Sequence, residues 1–90
     1  MRYERTNSFK RTFNKLPIDR KERVIDAVQA LMKFYESGIK SEGLGLKRLR
    51  DDVWEVRSSL KDRILFSFFK AVILFLIIGN HDDIRRYLKN

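Results

Sequence analysis

Ninety residues are enough for one domain with a single core and too few for two. A composition of 43% hydrophobic and 36% charged residues, with four glycines and one proline, argues against extended disorder. The absence of cysteine removes disulfides and thiolate zinc sites, and a single histidine argues against a His-rich metal centre. Twenty lysines and arginines against twelve acids give a net charge of +8, spread along the chain rather than gathered in a tail. Such a basic domain favours a polyanionic partner: nucleic acid, an acidic protein or an anionic membrane surface.

The segment Met1-Arg2-Tyr3-Glu4-Arg5 lacks the apolar core of a signal peptide. Cysteine absence fits a reducing compartment, and the expected location is the cytoplasm. Ile64 to Ile78 is the one candidate for a membrane span. As a helix its fifteen residues would reach about 22 Å, short of the roughly 30 Å hydrocarbon layer, with Lys70 inside it. Two strands joined at Lys70 account for the same residues without burying a charge.

Arg2 to Arg5 is a short candidate strand. Asn7 or Ser8 can cap a first helix in which Phe9, Phe13 and Leu16 form an apolar stripe, ended by Pro17. Asp19 with Glu22 is a capping-box-like start for a second helix. Its apolar face runs through Val24, Ala27, Val28, Leu31, Met32 and Tyr35, and Gly38 is its stop. Ile39 to Leu46 reads as a crossing loop. Three short connections then predict an antiparallel meander: Leu46–Arg50, Val53–Ser58, Asp62–Phe69 and Ala71–Ile78. Gly79 and Asn80 end the last strand, and Asp82 to Leu88 reads as a short helical turn capped by Asp82 or Asp83. The expected architecture is α+β, one domain over residues 1–90, with a helical hairpin packed on a twisted antiparallel sheet.

Chemistry concentrates between Leu49 and His81. Trp54 and Val56 alternate with Glu55 and Arg57, so one face of that strand is apolar and the other carries an acid and a base. Glu55, Arg57, Arg63 and His81 near one surface would suit chemistry on a phosphodiester. Attack by a 2′-hydroxyl needs a base, charge stabilisation at the phosphate and an acid for the departing oxygen. Glu55 can be the base, Arg57 and Arg63 can hold phosphate oxygens, and imidazole titrates in the range an acid needs. Plainer roles stay open: a Glu–Arg ion pair on an exposed strand, a histidine that caps the last helical turn, and Trp54 in the core. His81-Asp82-Asp83 lacks the further ligands a metal site would need.

The order and spacing of Gly45-Leu46-Lys47-Arg48-Leu49-Arg50, Val53-Trp54-Glu55-Val56-Arg57, Asp62-Arg63-Ile64-Leu65-Phe66 and Leu76-Ile77-Ile78-Gly79-Asn80-His81-Asp82-Asp83 resemble the RelE/ParE superfamily of type II toxins. The resemblance covers nearly the whole chain. It implies a ribosome-dependent mRNA endonuclease that inhibits translation without a metal or cofactor, held in check by a cognate antitoxin. On this basis Arg63 matches a phosphate-contacting arginine and Arg57 a basic catalytic position. Glu55 stands where the most studied members have lysine. A glutamate base with a histidine near the C-terminal strand end is the pattern of another nuclease branch. Lys47, Arg48 and Arg50 are the expected contacts to RNA or ribosome, with the acidic groups of an antitoxin as the other use open to them, and Tyr87 matches a tyrosine that stacks on RNA. Two further implied readings are a ParE-like toxin that binds DNA gyrase without catalysis, and an inactive member that only binds antitoxin.

Overall fold

A computed structural model describes residues 1–40 and 43–89; residues 41 and 42 of the expected crossing loop, and residue 90, lie outside the described residues. The elements are β1 (Arg2–Arg5), α1 (Asn7–Asn14), α2 (Ile18–Ser37), β2 (Lys47–Arg50), β3 (Val53–Arg57), β4 (Arg63–Phe69), β5 (Val72–Gly79) and α3 (His81–Lys89). The five strands form one sheet in the order β1-β5-β4-β3-β2. The four strands from β2 to β5 pair antiparallel, as their short connections require. β1 differs: it joins β5 in parallel, Arg2 opposite Val72 and Arg5 opposite Phe75, so the sheet is mixed at that edge. The helical hairpin that separates β1 from the meander supplies the long connection parallel pairing needs.

Helix starts depart from expectation for identifiable reasons. The cap of α1 is Thr6 rather than Asn7 or Ser8. Its hydroxyl accepts from the Phe9 N–H at 3.0 Å and donates to the Leu76 carbonyl at 2.7 Å, tying the helix start to β5. In α2 the Asp19–Glu22 box does not form. Pro17, extended at ψ 161°, takes the cap position, and Asp19 falls inside the first turn, where its charge favours the helix dipole. Gly38 ends α2 in the left-handed conformation at φ 78°, as expected.

The hairpin covers one face of the sheet. Phe9, Val24, Ala27 and Leu31 pack with Val56, Ile64, Phe66, Ile73, Phe75 and Ile78, and Trp54 and Tyr35 lie at the margin of this core. Leu65, between Ile64 and Phe66, faces the other way by strand alternation and is still fully buried. Its cover is α3, which contacts β4 and β5 and buries its own Ile84. Thus the expected short turn is a nine-residue helix that closes part of the second face. Among the described residues no helix is long and apolar enough to cross a membrane.

β1 protects only the first half of β5. Along the second half α1 takes over the open edge: besides the Thr6–Leu76 bond, the Ile78 N–H donates to Thr12 Oγ1 at 3.1 Å. The β4–β5 turn is less comfortable. Lys70 and Ala71 both have positive φ, 49° and 62°, where a side chain is disfavoured and Asn-Gly is preferred. Replacement Ala71→Gly should therefore raise stability by about 0.5–1 kcal/mol. Thermal melting should show a gain of roughly 2–6 °C; a lowered midpoint would show that the turn stores no strain.

Candidate functional site

Four of the residues expected to act on a phosphodiester come from three neighbouring segments. Register sets Glu55 opposite Leu65 and Arg57 opposite Arg63, and Arg63 opposite Gly79 on β5. Partners across a ladder share a face, so Glu55, Arg57 and Arg63 all belong to the side that carries α3. Two arginines directly opposite repel each other, and Glu55 offsets that repulsion. Its Oε2 accepts from Arg63 Nη1 at 3.1 Å, with side-chain exposures of 8% for Glu55 and 24% for Arg63. Glu55 is thus a buried carboxylate held by a guanidinium, where alternation alone suggested an exposed one. Arg57 is exposed and lines a smaller cavity with Arg23 and Ser58.

His81 is the first residue of α3 and is exposed. It does not cap the helix. Asn80 does: its Oδ1 accepts from the Asp83 N–H at 2.8 Å, while Asp83 Oδ2 accepts from the Asn80 N–H at 2.9 Å. This reciprocal box replaces the expected cap at Asp82 or Asp83 and leaves the imidazole uncommitted. Gly79 makes it possible, because a Cβ there would stand 2.5 Å from the Asp83 Cβ. Arg63 and His81 open into one cavity of about 620 Å³, with Lys15, Lys61 and Asp62 also on its walls. The structure therefore joins Glu55 to Arg63 by an ion pair and Arg63 to His81 by a shared cavity. Glu55 and Arg57 do not line that cavity.

The basic strand β2 divides its cations. Lys47 stands opposite Glu55, on the α3 side. A register shift between Arg48 and Arg50 lets Arg50 join that side, where Nη2 donates to the Leu88 carbonyl at 2.9 Å and ties β2 to the end of α3. Arg48 Nε instead donates to the Asp51 carbonyl at 2.7 Å. Tyr87 is half-buried and lines a neighbouring cavity with Thr12, Ile77 and Arg86; that cavity shares Thr12, Ile78 and Asp83 with the one at Arg63, which Tyr87 itself does not line. Among the described residues no group of three His, Cys, Asp or Glu side chains could hold a metal ion.

One pair escaped the sequence reading. Arg20 of α2 grips Asp62 with two bonds of 2.7 Å, and Asp62 is 2% exposed. The partners lie 42 residues apart, so no local spacing announces them. Hydrogen bonding by Arg20 outweighs the effect of burial and holds the Asp62 carboxyl below the usual carboxylate range. Ser59 Oγ donates to the same carboxylate at 3.3 Å, and the Ser58 and Ser59 N–H groups donate to the Asp62 carbonyl. Together they fix the β3–β4 connection against the start of α2, and so one wall of the cavity.

No family model matches the chain, nor does any curated protein. Solved structures do. A chain of the RelB–RelE antitoxin–toxin complex from Methanococcus jannaschii superposes with a TM-score of 0.69 at 14% identity, covering 93% of this chain and 96% of that one. The chain has the RelE/ParE toxin fold. An archaeal RelE–RelB complex from Pyrococcus horikoshii gives 0.69 at 15% identity over 88% and 92% of the two chains. YafQ from E. coli gives 0.66 at 9% identity over 93% and 98%. At these identities the RelE/ParE likeness is one of fold.

The Arg20–Asp62 pair gives this RelE/ParE fold a pH dependence. Because the folded Asp62 pKa is depressed, its contribution is complete above the ordinary carboxylate value and is lost as pH falls through the folded one. Asp62→Asn should cost about 1–3 kcal/mol in urea unfolding near pH 7. The difference from the parent should shrink between about pH 5 and pH 2. A gap that stays constant over that range would exclude the pair as its source.

Proposed function

We propose that the chain is the toxin of a type II toxin–antitoxin system and acts as an endoribonuclease on mRNA in the ribosome. The observation that carries this reading is the cavity shared by Arg63 and His81, with Glu55 fixing Arg63 from behind. The RelE and YafQ structures supply the fold-level support, and two of those compared are RelE–RelB complexes, one of them described as antitoxin–toxin.

In this mechanism Arg63 holds the scissile phosphate, and its ion pair with Glu55 fixes the direction of the guanidinium fork before RNA arrives. His81, exposed and free of the helix cap, donates a proton to the departing 5′-oxygen. The 2′-oxygen then bonds to phosphorus as the bond to the 5′-oxygen breaks, leaving a 2′,3′-cyclic phosphate. Glu55 takes the 2′-hydroxyl proton. Since that carboxylate is buried and engaged by Arg63, the step requires it to open toward the RNA as the strand binds. Arg57 adds positive charge across from Arg63, and Lys47 and Arg50 extend it along β2. A cognate antitoxin would neutralise part of the +8 charge.

Expression of the chain alone should arrest growth and fragment transcripts without DNA damage signalling. DNA damage with intact transcripts would instead support gyrase binding, and no effect at all would support an inactive, antitoxin-binding protein. Arg63→Ala and His81→Ala should each reduce cleavage by about 10²–10⁴-fold. Full toxicity in both would remove the assigned roles. Glu55→Gln separates base from support, because it keeps an acceptor for Arg63 but takes no proton. A base role predicts loss of cleavage with the melting temperature little changed.

A further inference from the structure

Charge accounting on the walls of the Arg63–His81 cavity leaves two cations over. Arg20 is matched by Asp62 and Arg63 by Glu55. Asp83 is engaged by the Asn80 N–H and by Arg86 at 3.6 Å. Lys15, at the end of α1, and Lys61, in the β3–β4 connection, line the same cavity; neither is within ion-pair distance of an acid among the described residues, and Lys61 only adds to the field that Arg20 sets on Asp62. Their ammonium groups come from separate elements, so this excess charge is not the solvated face of one helix. Beside them Leu60 stands 95% exposed. A lone exposed leucine means little by itself. Next to two unmatched lysines it gives the cavity an apolar lip.

We propose that Lys15 and Lys61 hold successive phosphates of a single-stranded RNA next to the one at Arg63, with Leu60 against an unstacked base. This rests on the nuclease reading of Arg63 and His81, whose cavity it extends. A volume of about 620 Å³ is in the range of small-molecule sites and accommodates a nucleotide. Two point charges with an apolar contact favour a strand whose backbone is anionic and whose bases are free to turn outward. A purely acidic peptide such as polyglutamate would use the lysines but leave Leu60 without a role.

The test is binding of a fully 2′-O-methylated oligoribonucleotide, which cannot be cleaved, followed by fluorescence anisotropy across a salt series. Lys15→Gln with Lys61→Gln should weaken binding about tenfold at low salt and reduce the salt slope by about 1.4. The control pair Lys33→Gln with Lys40→Gln lies on α2 and beyond, removes the same charge and should leave the slope nearly unchanged. Leu60→Ser should weaken binding with the slope intact. Equal losses in both lysine pairs, or none in the first, would overturn the proposal. So would loss of polyglutamate binding without loss of RNA binding, which would assign the site to an acidic protein. These outcomes are separable from failure of the nuclease reading, which would show as intact transcripts on expression while oligonucleotide binding kept its dependence on Lys15 and Lys61.

Discussion

A sheet whose middle strand is apolar on both sides has to be covered twice, and most of this architecture answers that demand. Ile64, Leu65 and Phe66 are consecutive and all fully buried, so α1 and α2 satisfy only one face. The second cover is α3, a single short helix that shields Leu65 with Ile84 and leaves the sheet's flanks open. Burying two such side chains is worth roughly 1.5–3 kcal/mol each, enough to dock a helix but not to make the docking permanent. The sheet margin that α3 leaves open is where Arg63 and His81 meet solvent.

Burial also explains the electrostatics. A buried carboxylate at Glu55 would be costly without a partner, and Arg63 supplies one from the adjacent strand. Arg63 in turn gains a fixed direction beside an otherwise repulsive Arg57. The second buried carboxylate, Asp62, is matched by Arg20 in the same way. Each buried acid is therefore spent on one arginine, and the remaining positive charge stays at the surface, available to a polyanion.

Much of this was legible in the residues. Period-two alternation at Trp54-Glu55-Val56-Arg57 and the apolar run before Gly79 set strands β3 and β5 to within a residue or two. The helical spacing of Phe9 and Phe13, and of Val24 through Tyr35, set the hairpin. Long-range partners were not legible. The parallel seat of β1, the Thr6 cap whose hydroxyl also reaches Leu76, and the Arg20–Asp62 pair all depend on residues far apart in the chain. Burial of Glu55 was hidden for a related reason. Alternation assigns a face, but whether a side chain on it is buried depends on its neighbours, here Arg63 of the next strand. His81 was placed at the strand end correctly, while its freedom from capping followed only from the Asn80–Asp83 exchange.

The parallel seat of β1 has a bearing on how the molecule assembles. The bond from Thr6 to Leu76 closes a loop of 70 residues, and β5 is the only strand neighbour of β1 among the described residues. Closing so wide a loop is entropically slow, whereas the β3–β4–β5 meander can zip from its own turns. During synthesis the first strand must wait, unpaired, until β5 has left the ribosome. The seam that Thr6 and Thr12 stitch along β5 thus acts as a latch that cannot close until β5 itself has been made.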